Sequence, residues 1–560
     1  MDTNSDIVNG ATKRRRLSDG SVKKYQYARK QFDVTFSNEE EKYVFESRLK
    51  SLKQRKGLKT VKEVFEYFLE SDGTTSNVSA EGAQDVHKRL IETASNENFV
   101  CENKSIFDLA DIISKHGQNC NHLLVPLMLT HSGHVAEVKW HCEKGHVIQW
   151  NSSNVLSSQY TVNYRMMMAY LCSGMSQVQY ERFSEFSNTG TLSLRFMSQA
   201  ALTFSAVIDV VARESIQFAL FDEIQSSKDK HEDGISIMTD ARHQCRKNSF
   251  HTSHVAIGQH THKVVNIQHI NKLEERSTQR HEIVGCEKMY GEFGQQNVKV
   301  NVHAHDRNTS INKIIKEKDS VKNCNERWHA AKPITKGIKA ISSGALKNRG
   351  KTWHPELADK GALVRNHVYY SIDNCGRDPT VLRQMLVSCV LHFQNIHHNC
   401  SGESSCKVDG YIPEFTILKD PVGITLLTNF IHSTTLYKNA QDYVLNKDTY
   451  YVESFNNSIL VYLDKRLHYK DRSYTTRMNL AVLSWNEHVD RPFTSRSVHY
   501  NGKNILRKRL GKKQYKKKTY NFVSDIWSLF VRVIDQDEQI DGLDLDLETS
   551  DIYEETDDEV

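Results

Sequence analysis

A chain of 560 residues, 38% hydrophobic and 26% charged, with a formal net charge of +5, is long enough for several domains around a sizeable core. Met1 to Gly20 is polar, so no secretory signal is expected, and no apolar run reaches the length that spans a bilayer. Eleven cysteines in so long a chain, without such a signal, exclude a disulfide scaffold and leave metal ligands or core thiols.

The chain opens with a basic tail over 1–36, in which Lys13-Arg14-Arg15-Arg16 is a tetrad of the nuclear-localisation type, equally able to touch phosphates or to stand in solvent. A helical accessory region follows over 37–114. Ser37 with Glu40, and Thr60 with Glu63, have capping-box spacing ahead of apolar residues at helical intervals.

Residues 115–158 carry a Cys/His segment. Cys120, His122, Cys142 and His146 are the expected tetrahedral zinc ligands, with Gly145 supplying the turn. The first pair is tight, so His131, His134 or His141 could stand in for His122; two core cysteines among many histidines is the bland alternative. Residues 159–228 read as three helices broken at Ser173-Gly174 and Thr189-Gly190. Such a run is compatible with a helix-turn-helix for DNA binding or dimerisation, though a packed bundle is the commoner outcome.

The period changes over 229–335. Short alternating runs at 234–238, 255–257 and 264–267, a helical stretch over 279–293, a strand over 297–304 and a helix over 310–317 give the order strand, strand, strand, helix, strand, helix. That is the order of a ribonuclease-H-like α/β core. A mostly helical insertion is expected over 336–445, with a second candidate zinc set in His397, Cys400 and Cys406. The last part of the core follows over 446–495, then a basic segment over 496–534 and an acidic tail over 535–560. The expected fold class is therefore multidomain α+β: a ribonuclease-H-like α/β catalytic core interrupted by a helical insertion, preceded by a zinc-binding segment and a helical domain.

Three acidic stretches carry the chemistry. Asp240 sits where the first strand runs out, Asp306 follows the strand after the first helix, and Glu453 lies near the start of a helical stretch. Two strand-end aspartates and a helix glutamate make a hard, oxygen-rich site for a pair of Mg²⁺ or Mn²⁺ ions. Any one acid alone is more simply read as a helix cap or a strand end.

In the order of its motifs the chain resembles eukaryotic cut-and-paste DNA transposases of the DDE type, Kolobok-like lineages among them. Those motifs are a Cys/His segment with Trp150-Asn151-Ser152-Ser153, then Asp240-Ala241-Arg242, His305-Asp306-Arg307-Asn308 and Trp328-His329 with Lys332. Glu453-Ser454-Phe455-Asn456-Asn457, Asp464-Lys465-Arg466 and Trp485-Asn486-Glu487 complete the set. The resemblance implies that Asp240, Asp306 and Glu453 are the catalytic triad. The 66 residues from Asp240 to Asp306 suit it, and the 147 from Asp306 to Glu453 imply the inserted domain.

The likeness further implies a nuclear enzyme that binds double-stranded DNA at element ends and target, cuts with two metal ions, and works as at least a dimer, with no membrane partner. Zinc would be structural. Arg242, Arg307, Lys465 and Arg466 are expected at carboxylates or backbone phosphates, and Trp328 with Lys332 at an unpaired base. Arg507, Lys508 and Arg509 in the basic segment suit phosphates or nuclear import. The rival reading is a domesticated, non-cutting DNA-binding regulator. A stand-alone metal-dependent nuclease would leave the long insertion unexplained.

Overall fold

The computed structural model describes residues 97–244, 248–318, 320–499 and 509–536. The chain divides into two compact units, Met1–Lys88 and Arg89–Val560, and every described residue lies in the second. The basic tail with its Lys13-to-Arg16 tetrad, the capping boxes at Ser37 and Thr60, Arg507, Lys508 and the acidic residues past 536 lie outside the described residues.

Helix α1 (Asn103–Asn119) leads into an antiparallel sheet of β1 (Val125–Ser132), β2 (Val135–His141) and β3 (Val147–Asn151), with β2 in the middle. Trp150 buries its ring against α1, and its indole N–H donates to the Ser105 carbonyl at 2.7 Å. That bond gives the buried polar end of the ring the partner it needs.

The three expected helices form as α2 (Thr161–Ser173), α3 (Gln177–Phe186) and α4 (Leu194–Asp229). Gly174 ends α2 with φ +73°, and a Cβ there would meet the Val461 carbonyl oxygen at 2.2 Å, so only glycine fits both demands. Ser176 and Gln179 form a full capping box on α3, and Ser193 caps α4.

At 36 residues α4 takes up nearly all of the run after the Thr189-Gly190 break. By length and composition it could cross a membrane, which corrects the expectation that no such stretch exists. It carries Phe204, Val207 and Ile208, all fully buried in the main hydrophobic core. The run is thus a packed bundle built around a core helix.

The central sheet has the order β8-β7-β4-β5-β6, from β4 (Ile235–His243), β5 (His251–Gly258), β6 (Val264–Asn271), β7 (Val300–His305) and β8 (Lys322–Asn325). β4, β5 and β6 form an antiparallel meander, whereas β7 runs parallel to β4 and β8 parallel to β7. The parallel connections pass through α5 (His281–Gln295) and α6 (Thr309–Lys316).

Strand periodicity sorts the sheet into two faces. Ile235 and Ile237 pack with Met289 and Phe293 of α5 and Ile311 of α6, while Met238 packs in the larger core on the other side. Asp240 shares the parity of Met238. The strand was expected to stop near Met238, yet it continues to His243, so Asp240 lies within it, opposite Val255.

The insertion has its own core, from α7 (Arg327–Ser342), α8 (Lys360–Asn374), α9 (Pro379–Phe393) and α10 (Pro421–Ser433). Ala330, Ala331, Ile334 and Ile338 belong to that core, so the insertion starts with α7, earlier than the expected boundary at 336. Tyr443 and Val444 are the last residues of that core in the chain.

The chain then returns through α11 (Tyr450–Ser458) and α12 (Asp471–His488) to a hairpin, β9 (Phe493–His499) with β10 (Arg509–Tyr515), and ends in α13 (Asn521–Gln536). The segment expected to be merely basic therefore contains a core helix. Phe522, Ile526 and Phe530 recur every four residues and are buried, and Phe530 stacks on Phe204 with centroids 3.9 Å apart. Glu487 caps the helix by accepting from the N–H groups of Asn521 (2.7 Å) and Phe522 (3.1 Å). Phe530→Ala should destabilise the protein by about 3–5 kcal/mol, read as a lowered melting temperature; an unchanged melt would mean that α13 is not part of the folding unit.

Candidate active site and metal centres

Three elements carry the acids; Asp306 and Glu453 join one cluster of donor atoms, and Asp240 stands outside it but within electrostatic reach. Asp240 points from β4 toward α11, where Asn456 donates from Nδ2 to its Oδ2 at 2.7 Å; the Ala241 N–H donates to Oδ1 at 2.8 Å. Asp306 is the first residue past β7, at the carboxyl end of the parallel strand. Glu453 stands exposed in the first turn of α11, whose Val452 and Phe455 are buried. The donor atoms of Asp306, Glu326, His329 and Glu453 all lie within 4.8 Å of one another. His329 Nδ1 is 3.2 Å from Asp306 Oδ1 and also contacts Glu326.

Electrostatics mark this as a site short of positive charge. Burial pushes the Asp240 carboxyl up to about 7, and repulsion from Asp306, Glu282 and Glu453 adds to it, against the pull of the Ala241 N–H. Burial, and then Asp306, also raises Glu282 despite its bond from Asn308. Glu326 is raised chiefly by burial, with Glu453 and Asp306 contributing, although His329 pulls it down. Among the described residues no lysine or arginine comes within ion-pair distance of Asp240, Asp306 or Glu453. A divalent cation on oxygen donors would relieve that repulsion, and the donor set fits a hard ion.

The sequence did not point to Glu282 or Glu326, and His329 entered only as a neighbour of Trp328. The signal was available: Glu326 and His329 stand three apart where β8 passes into α7, so both fall on one helical face at the carboxyl edge of the sheet.

The neighbouring residues divide into buried and exposed. Arg242 is buried, and its guanidinium donates to the carbonyls of Asn456 and, at 3.2 Å, of Leu463. It clamps α11 onto β4 and presents nothing to solvent. Arg307 is exposed and donates to Thr435 Oγ1 at 3.3 Å. Trp328 is 46% exposed with the Lys332 ammonium 4.6 Å above its ring, and Lys465 and Arg466 stand exposed after α11. Arg509 begins β10.

The last motif is structural throughout. Trp485 donates to the His262 carbonyl at 2.9 Å, Asn486 pairs with both the N–H and the C=O of Val264, and Glu487 caps α13.

The first Cys/His centre forms with one substitution. Its members are His116, Cys120, Cys142 and His146, not His122. His122 lies at the surface with Nδ1 2.9 Å from a Glu143 oxygen, whereas His116 lies one helical turn before Cys120 at the end of α1. Two of the alternatives are engaged elsewhere: His131 contacts Glu97 at 3.2 Å, and His134 contacts the Tyr180 hydroxyl at 2.7 Å.

Sγ of Cys120 and Cys142 are 3.9 Å apart, and Cys142 Sγ is 3.5 Å from His146 Nδ1. A tetrahedral ion with sulfur at about 2.3 Å and nitrogen at about 2.0 Å has edges of about 3.8 and 3.5 Å. Gly145 turns the knuckle at φ +80°. Burial acts to raise the Cys142 thiol, yet the backbone N–H groups of His146 and Lys144, the Cys120 thiol and the Lys144 charge together hold it below the ordinary range. His116 Nε2 is buried without a hydrogen-bond partner.

In the insertion His392 joins His397, Cys400 and Cys406. His392 Nδ1 is 3.2 Å from His397 Nδ1 and 3.4 Å from Cys400 Sγ. Both Cys/His groups can hold a metal ion. No known protein-family model matches this chain, and no curated protein shows significant similarity to it.

Proposed function

We propose that this protein is a metal-dependent DNA strand-cleaving and strand-joining enzyme of the DDE transposase type. The observation that carries the reading is the approach of Asp306 and Glu453, 147 residues apart in sequence, to within 4.8 Å at their donor atoms, near an Asp240 whose carboxyl is raised by burial and then by Asp306, Glu282 and Glu453. The sheet supports it: with strands numbered in sequence from β4, its order is 3-2-1-4-5, with the first three antiparallel and the last two parallel to the first. That is the strand order of a ribonuclease-H-like core, and the helical insertion precedes the last acid.

Bound at these carboxylates, two Mg²⁺ or Mn²⁺ ions would supply activation of a water or 3′-hydroxyl and stabilisation of the leaving oxygen. Asp306, Glu326 and Glu453 would hold the ions, with His329 orienting Asp306 and Glu326, and Asp240, which accepts from Asn456, would complete the carboxylate set. Arg307, Lys465, Arg466 and the Trp328–Lys332 pair are the exposed groups available to phosphates and bases. Zinc suits the two-nitrogen, two-sulfur sets, as a structural ion. Pairing of two DNA ends requires at least a dimer, and the work belongs in the nucleus.

The test is the purified full chain with Mn²⁺ or Mg²⁺, supercoiled plasmid and duplexes carrying free 3′-hydroxyl ends. Metal-dependent nicking and joining are expected. DNA binding with no strand cleavage under either metal would overturn the reading and leave a non-cutting DNA-binding protein.

A further inference from the structure

A third cluster lies outside both Cys/His centres and the acidic site. His251 opens β5, His269 lies on β6 opposite Ser253, and Asp471 begins α12. His251 Nδ1 and His269 Nε2 each stand 3.4 Å from the same oxygen, Asp471 Oδ1.

Hydrogen bonding around the cluster fixes the proton on His251. The ring is fully buried, and its Nε2 is 3.0 Å from the Tyr469 carbonyl oxygen, which can only accept. Nε2 therefore carries a ring proton, and Nδ1 is the nitrogen left to a ligand bond. That Nδ1 is buried without a hydrogen-bond partner, and so is His269 Nε2. Two buried ring nitrogens thus face one carboxylate oxygen without a hydrogen bond to it, an arrangement that costs free energy unless a cation lies between them.

The spacing identifies the cation. A 3.4 Å separation is too long for a good N–H···O hydrogen bond. It matches the edge, about 3.3–3.4 Å, of a tetrahedron whose ion sits about 2.0–2.1 Å from nitrogen and oxygen. The supporting contacts are those of a built site: Asn271 Nδ2 donates to Asp471 Oδ1 at 2.8 Å, and Tyr474 stacks on His251 with ring centres 4.7 Å apart.

We propose that His251, His269 and Asp471 bind a borderline divalent transition ion such as zinc, with the fourth position open to water on the exposed Asp471 side. The ion would fasten β5 and β6 to the start of α12. The segment it fixes is already tied to the sheet by Tyr469, by Leu467 through Gln244 (3.0 Å) and by Leu463 through Arg242 (3.2 Å). That segment follows α11, so the ion would help fix the helix that carries Glu453. The inference does not rest on the DNA-cleaving reading.

The experiment measures bound metal per chain by mass spectrometry in full-length protein loaded with Co²⁺ and then desalted. His269→Gln and Asp471→Asn should each hold one ion fewer than wild type, and the lost ion should lack sulfur-to-cobalt charge-transfer absorption. Asp471→Asn keeps the shape of a half-exposed side chain, so a folding failure in one variant does not remove the test. If both variants keep the wild-type metal ratio, the cluster is a hydrogen-bonded one and the proposal is overturned.

Discussion

Asp240→Asn should abolish metal-dependent strand cleavage, by about a thousandfold or more, and leave DNA binding unchanged. The substitution removes one charge of the carboxylate set but keeps the shape. The asparagine oxygen still accepts from Asn456 Nδ2, and Arg242 still clamps α11 through the carbonyls of Asn456 and Leu463. The same change should raise the melting temperature of the metal-free protein at pH 8, because it removes a carboxylate whose charge is disfavoured by burial and then by Asp306, Glu282 and Glu453. A variant that stayed active, or that lost activity together with its fold, would remove Asp240 from the catalytic account.

The sign of the pH dependence comes from the same residue. The folded carboxyl of Asp240 is raised above its ordinary value to about 7, so its stabilising contribution is complete below the ordinary carboxylate range and is lost as pH rises through 7. Glu282 and Glu326 are raised as well and act in the same direction. His134, His243, His251, His254, His303, His305, His367, His392 and His488 are held below the ordinary histidine range, chiefly by burial, and act in the opposite direction as pH rises through that range, equally in wild type and variant. Between pH 6.5 and 8 the metal-free wild type should therefore lose stability relative to Asp240→Asn. Mg²⁺ should reverse it, since the ion binds only the ionised carboxyl. Melting curves at the two pH values, with and without Mg²⁺, decide the matter; a slope equal in wild type and variant would show that Asp240 carries no such strain.

Much of this arrangement was legible in the sequence because its determinants are local. Alternation marked β4 and β7, the Ser173-Gly174 and Thr189-Gly190 breaks separated α2, α3 and α4, and the acid at the end of β7 followed from the edge of that strand. The features that escaped depend on contacts between distant segments. The polar residues after Met238 seemed to end β4, yet the strand runs on, with Arg242 buried against α11 and the exposed His243 held through Nδ1 by Thr252 Oγ1 at 2.8 Å. The basic residues before α13 hid an apolar stripe whose partner, Phe204, lies three hundred residues earlier. The insertion boundary was masked because α7 crosses it without a break: its first residues serve the acidic site and its later ones the insertion core.

Nearness to Cys120 along the chain favours His122 over His116, whereas the helix geometry favours His116, and the difference yields a sharp expectation. Two positions apart, with the chain leaving a helix, His122 turns to the surface. Four positions back on α1, His116 faces the same side as Cys120. His116→Ala and Cys142→Ser should each cost one bound ion and unfold the β1–β3 sheet, whereas His122→Ala should do neither. The expected loss is large because most of β1 and β3 is only partly buried or exposed. A unit this small, below about 40 residues, rarely holds on apolar burial alone. An ion bound with an apparent free energy of about 10–16 kcal/mol would supply the difference. Metal content together with limited proteolysis across residues 121–150 reads both effects. Equal behaviour of the His116 and His122 variants would show that the sheet stands without the ion, and that His116, Cys120, Cys142 and His146 meet only as packed side chains.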